Sequence, residues 1–242
     1  MEEPRNTAPR YCDAILDFYV SLPQTYDPPN GVEVIFPFSH PETRRVMEAF
    51  YTKYYCDDHP RTLLFGINPG RFGAGQTGVG FTDPVLIERV CGIANSLPKT
   101  RELSAQFICE VVEAYGGPEA FYGDFLFTTV LPFGLLKAGK NYNYYDDAAT
   151  LAYFEPLIVD AVNTQMHYPN VNRRIASIGK GKNIAYLKKL NRRYGFFESI
   201  EELPHPRWVM QYKRKEKVKH IKAYVETLTN LKKRATLSPS FQ

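Results

Sequence analysis

The apolar positions of this chain fall into short blocks with two different periods. Residues 62–68 (TLLFGIN), 125–131 (FLFTTVL) and 174–178 (RIASI) are nearly continuous apolar runs. They stop at Pro69-Gly70, at Pro132 and at Gly179. Short runs bounded by turn residues in this way predict strands buried on both faces. A shorter fourth strand is expected over residues 196–200. Helical spacing of apolar residues predicts helices over 11–22, 42–55, 84–97, 102–115, 147–166, 182–193 and 213–233. Asp83-Pro84 has the right chemistry to open one of them, with an aspartate cap followed by proline in the first turn. Proline-rich chain around Pro28, Pro29 and Pro37, a glycine-rich loop ending at Phe81, and a polar, tyrosine-rich loop over 141–146 separate the elements. There is no internal repeat.

Strands that alternate with helices predict an α/β fold. The expectation is a three-layer α/β/α sandwich around a central four-stranded parallel sheet. A chain of 242 residues fits one domain, 1–242, with an N-terminal helical extension and a basic C-terminal helix. In such sheets ligands bind in the loops beyond the carboxyl ends of the strands.

Charge sharpens this reading. Residues 1–172 carry 12 Lys+Arg against 21 Asp+Glu, whereas residues 173–242 carry 18 against 5. A basic segment of this kind is either a solvated helix face or a polyanion-binding surface. The four cysteines, Cys12, Cys56, Cys91 and Cys109, form no C-x-x-C pair and have no metal spacing, so reduced thiols and no metal site are expected. No organic cofactor is implied. No apolar run reaches the roughly 20 residues of a membrane span. MEEPRNTAPR lacks the apolar stretch of a signal peptide, so a cytoplasmic, nucleoid-associated protein without membrane contact is expected.

Three segments at expected strand ends carry candidate chemistry. GINPGRFGAGQTGVGF, residues 66–81, holds six glycines and places Asn68 where the strand stops. It lacks the Gly-Lys-Ser/Thr of a phosphate loop, and the acidic partner of a dinucleotide fingerprint is missing. LPHPR, residues 203–207, sets His205 between two prolines that stiffen its backbone. Thr128-Thr129-Val130-Leu131-Pro132 closes the second strand and is a weak signal by itself.

At these residues a family resemblance emerges. Residues 66–81 resemble the first motif of the single-strand-selective monofunctional uracil-DNA glycosylases, Gly-Met-Asn-Pro-Gly-Pro-Phe-Gly-Met-Ala-Gln-Thr-Gly-Val-Pro-Phe. LPHPR resembles that family's His-Pro motif. Gly139-Lys140-Asn141 and Gly179-Lys180 keep the family's order between them, and the similarity spans roughly residues 35–225. The resemblance implies that Asn68 holds the attacking water and that His205 donates a hydrogen bond to the departing base. It implies that Phe81 stacks on a flipped base, and that Ile67 and Gly70 line the pocket. Gly70 stands where other branches of the superfamily have a bulky residue that excludes 5-substituted pyrimidines. Arg207 and its neighbours fall in the wedge that fills the emptied duplex.

Two departures bear on specificity. Thr129 stands where the family has its base-reading Asn. A hydroxyl offers one flexible contact in place of an amide's pair. The base range is therefore open to uracil, 5-hydroxymethyluracil or xanthine, with Asn141 and Asn143 near enough in sequence to contribute. The wedge sequence is replaced by Trp208-Val209-Met210-Gln211, and Trp208 either intercalates or anchors the last helix. Lys180, Lys213, Arg214 and Lys215, continued by Lys217, Lys219 and Lys222, are the expected phosphate contacts. The resulting expectation is a monomeric, monofunctional DNA glycosylase whose partner is DNA, without lyase activity because neither motif contains a lysine. Two alternatives are a non-catalytic reader of damaged DNA and a hydrolase of free nucleosides, against which the basic C-terminal third argues.

Overall fold

The computed structural model describes residues 10–236; residues 1–9 and 237–242, the outer ends of the expected 1–242 domain, lie outside it. The elements in chain order are α1 (Tyr11–Ser21), β1 (Val32–Ile35), α2 (Pro41–Tyr55), β2 (Arg61–Gly66), the short α3 (Ala74–Thr77), α4 (Pro84–Cys91), α5 (Leu103–Tyr115), α6 (Pro118–Asp124), β3 (Phe125–Thr129), β4 (Gly134–Lys137), β5 (Lys140–Tyr142), α7 (Ala148–Met166), β6 (Val171–Ile178), α8 (Lys182–Tyr194), β7 (Ser199–Leu203), α9 (Pro206–Tyr212) and α10 (Lys217–Thr236). Strands β3-β2-β6-β7 form the expected four-stranded parallel sheet, flanked by helices. Every residue of β2 and β3 is buried, as continuous apolar runs require. Helices α7 and α8 lie against β6, and α10 runs across β2, β6 and β7.

The fourth strand sits three residues later than expected. The Asn191 amide pairs with both backbone groups of Phe197 (2.9 and 2.6 Å), which holds the Phe196-Phe197 pair in the turn after α8. The strand then runs through Glu201 and Glu202, polar residues that an edge strand tolerates. Helix 84–97 ends early, at Cys91, where the N–H groups of Gly92 and Ile93 return to Glu88 and Ile87. The expected final helix, 213–233, opens with a 3-10 turn over Arg214–Glu216 before α10, and the short α9 ahead of it was not expected.

A second sheet was not expected. β1, β4 and β5 form an antiparallel ribbon in that order, built from strands of three and four residues. Its hairpin turns on Ala138 and Gly139, both at positive φ (48° and 68°). That geometry is favoured by Asn-Gly or Asp-Gly, and Ala-Gly gives no comparable sequence signal.

Two features fix the N-terminal side. Arg61, wholly buried at the start of β2, donates to the carbonyls of Tyr54, His59 and Tyr122 and to Asp57 Oδ2. It lies against the rings of both Tyr11 and Tyr55. A buried cation is tolerated when its donors are satisfied in this way. The second feature corrects the expectation of four reduced thiols. Cys12 at the head of α1 and Cys56 at the foot of α2 are joined in a disulfide across 44 positions, with Cα atoms 5.0 Å apart. The pairing arises because α1 packs on α2, which no spacing in the sequence announces. Cys91 and Cys109 are free. Closing a loop of that length restricts the unfolded chain, a gain of about 2–4 kcal/mol. Reduction, or Cys12→Ser, is therefore expected to lower the Tm by several degrees in thermal melts run with and without reductant; an unchanged Tm contradicts this.

Candidate active site

The carboxyl ends of β2, β3, β6 and β7 open onto one cavity of about 390 Å³. Its floor is the first-motif loop. Asn68 lies two residues beyond β2, and its side chain is held at both ends. Nδ2 donates to the Tyr142 carbonyl (3.0 Å) and Oδ1 accepts from the Tyr144 N–H (3.3 Å). This pair sets the orientation of the amide and leaves Oδ1 one lone pair for a further donor, such as water. Tyr144 is itself anchored: its buried hydroxyl donates to Asn183 Oδ1 (2.8 Å), and Asn183 Nδ2 donates to Ser177 on β6 (3.2 Å). The amide of Asn68 is thus tied through one tyrosine to the neighbouring strand.

Phe81 closes the same loop with an unusual backbone. Its φ is +55°, a left-handed conformation that is a true outlier for a bulky residue and costs on the order of 1–3 kcal/mol. The strain puts the ring over Gly66, where a Cβ would come within 3.1 Å of it, against Phe127 (5.0 Å between centroids) and 6.2 Å from the imidazole of His205.

His205 follows β7 and caps α9. Its Nδ1 accepts from the Arg207 N–H (3.1 Å), so a neutral ring carries its proton on Nε2. The loop is held from behind by buried Tyr224 of α10, whose hydroxyl donates to the Pro204 carbonyl. Burial, with the nearby Arg207 charge acting in the same direction, lowers the imidazole to about 4. The group facing the cavity is therefore a neutral N–H donor.

One residue that sequence reasoning missed is Glu102, just before α5. Its N–H donates to Asp83 Oδ2 (3.0 Å), and Asp83 also caps α4 through Oδ1. Its carboxyl covers Gly70 and Gly73. A Cβ at Gly70 would lie 2.5 Å from Oε1, and one at Gly73 would run into the carboxyl and stand 2.7 Å from the Thr82 carbonyl. These glycines are what admit the carboxyl to the wall. Burial pushes it up to about 7, with Asp83 adding to the rise and Arg207 opposing it. In the sequence, Glu102 reads only as the first residue of the helix expected over 102–115.

The other expected residues divide in two. Ile67, Gly70, Thr129 and Asn141 line the cavity, and Lys180, Arg207 and Trp208 stand at its rim. Asn141 spends its Oδ1 on the Arg71 N–H (3.2 Å), while Asn143, also in the lining, donates to Asp146. Lys213, Arg214 and Lys215 lie outside the cavity, on the surface beyond α9. In the basic run, Lys213, Lys217 and Lys222 are paired with Glu216, Glu110 and Glu226, whereas Arg214, Lys215 and Lys219 have no salt bridge among the described residues. Trp208 is 42% exposed and meets His220 edge-on, so it is not a core anchor. Gln211 of the replaced wedge, Tyr145 of the tyrosine-rich loop and Tyr212, which had no sequence signal, also line the cavity.

The assembled site offers an oriented amide oxygen, a neutral N–H donor and an aromatic face around one cavity. Among the described residues no cluster of three His, Cys, Asp or Glu is placed to hold a metal. A sequence profile of the uracil DNA glycosylase superfamily matches residues 52–229. The crystal structure of wild-type SMUG2 from Pedobacter heparinus superposes with a TM-score of 0.87 at 37% identity, covering 92% of this chain and 98% of that one. No curated protein sequence matches.

The state of His205 has a measurable consequence. Its folded value lies below the ordinary histidine value of about 6.5. The unfolded chain therefore takes up the proton first, and His205 withdraws stability as pH falls from about 6.5 towards 4. Nitrogen NMR of the imidazole is expected to show the neutral Nε2–H tautomer unchanged from pH 8 to 5. A midpoint near 6.5 contradicts it.

Proposed function

Because the chain belongs to the uracil DNA glycosylase superfamily and is a DNA glycosylase of that type, we propose that it flips a deaminated or oxidised base out of DNA and hydrolyses its N-glycosidic bond without cutting the strand. The observation that carries this reading is the pair Asn68 and His205, both preset by backbone hydrogen bonds at one cavity.

Breaking the bond between base and deoxyribose leaves positive charge on the sugar and negative charge on the base. His205 Nε2–H meets the base oxygen where that charge grows. A preset neutral donor needs no reorganisation, and removing one costs about 3–4 kcal/mol. Asn68 Oδ1 holds the water that attacks the sugar. An amide has no basicity to take the water's proton, so it orients and does not deprotonate, and turnover is slower than with a carboxylate there. Flipping costs a few kcal/mol, and stacking on Phe81 returns about 1–3 kcal/mol. Thr129 and the Asn141 amide read the base edge in place of a single bidentate Asn, which favours a range of uracil, 5-hydroxymethyluracil and xanthine. Arg207, Lys180, Arg214 and Lys215 take the phosphates, supplemented by Lys213, and binding falls steeply with salt.

The test is base release from oligonucleotides carrying one uracil, 5-hydroxymethyluracil, xanthine or hypoxanthine, single-stranded and opposite each base, with alkali to reveal abasic sites. Asn68→Ala and His205→Ala are each expected to slow release by about 10²–10³-fold with little change in binding. No release by the wild-type protein with binding retained would replace this reading with a non-catalytic reader of damaged DNA.

A further inference from the structure

A second cavity, of about 280 Å³, adjoins the base pocket, and Lys180 and Trp208 line both. Its other walls come from the end of β7, including Glu202, and from one face of α10, including His220, Ala223 and Thr227. The base pocket does not use this space.

Two observations point to an occupant. The indole of Trp208 is substantially exposed, and its neighbour in the wall is the His220 ring, 5.9 Å away at 82°. Lys180 is exposed on the loop between β6 and α8, at the rim common to the two cavities, and has no salt bridge among the described residues. A flat ring, joined by an anionic linker to whatever fills the first cavity, suits the exposed indole and the exposed cation together.

We propose that the second cavity is a subsite for the nucleotide directly beside the flipped one in the same strand. This rests on the base-flipping reading of the first cavity. Two successive bases then lie on either side of Trp208, and the single phosphate joining them crosses the rim at Lys180. The neighbouring base stacks on the exposed indole, with the His220 ring behind it. Glu202 and the Thr227 hydroxyl offer acceptors for a base amino group. Stacking of one base on an aromatic side chain is sequence-tolerant, so the subsite demands a base more than it selects one. Intercalation of Trp208 into a duplex makes the opposite demand, since it fills a vacancy and needs no neighbouring base.

The experiment uses single-stranded oligonucleotides with one uracil whose 5′ or 3′ neighbour is either a normal nucleotide or a tetrahydrofuran lacking the base. Single-turnover release gives the half-saturating protein concentration, and quenching of Trp208, the only tryptophan, gives binding directly. Removing the neighbouring base on one side is expected to raise half-saturation about 5- to 100-fold, the range that stacking of one base supports. Ala223→Phe fills the cavity from an exposed position on α10, and His220→Ala removes the ring that backs the indole. Each is expected to reduce that dependence while release at saturation stays within about twofold, the span of ordinary surface changes. Equal half-saturation with and without either neighbour, or full neighbour dependence in both folded variants, overturns the subsite. Absence of release from every wild-type reaction would instead overturn the glycosylase reading, while quenching still tests the subsite.

Discussion

The site depends on where one amide is held. Asn68 follows the most buried strand of the sheet, and its side chain bridges backward to the Tyr142 carbonyl and the Tyr144 N–H. That bridge joins the end of β2 to the end of β5 and the segment that follows it. Through the Tyr144 hydroxyl and Asn183 it also reaches β6. The parallel register of β2 with β3 and β6 brings these segments to one edge. Without the small β1-β4-β5 ribbon, Tyr142 would have no fixed position from which to accept. The orientation of the side chain expected to hold water is therefore a property of two sheets together.

The electrostatics follow a consistent division. Inside the cavity, burial favours uncharged forms: the His205 ring loses its proton readily, and the Glu102 carboxyl keeps its own up to about 7. Positive charge stays at the rim and on the surface beyond it, at Lys180, Arg207, Arg214 and Lys215. A neutral interior suits a reaction that creates charge on the leaving base, because a fixed neutral donor responds to that charge without first releasing another partner. A charged exterior suits a polyanionic strand. The strained backbone of Phe81 and the two glycines under Glu102 are local costs of shaping this interior.

How much of this was legible in the chain varies with the physics behind each part. β2, β3 and β6 stood out because continuous apolar runs reflect burial on both faces. β7 was misplaced because an edge strand tolerates Glu201 and Glu202, while Phe196 and Phe197 belong to a turn held by Asn191. The β1-β4-β5 ribbon was invisible because its strands are too short for a period and its turn is Ala-Gly. The placement of Asn68, Phe81 and His205 around one cavity was legible through a resemblance carried by a glycine-rich and a proline-flanked motif. Glu102 was not, since its position over Gly70 and Gly73 exists only once α5 is packed. The Cys12–Cys56 disulfide is likewise a consequence of helix packing across 44 positions, with no local pattern.

The central claim is that an oriented water, and no side chain, attacks the sugar. It is tested most directly by running single-turnover base release with borohydride present, beside reactions finished with and without alkali. The prediction is full base release, an abasic strand that only alkali cleaves, and no protein–DNA adduct. A borohydride-trapped adduct, or strand cleavage without alkali, would contradict it.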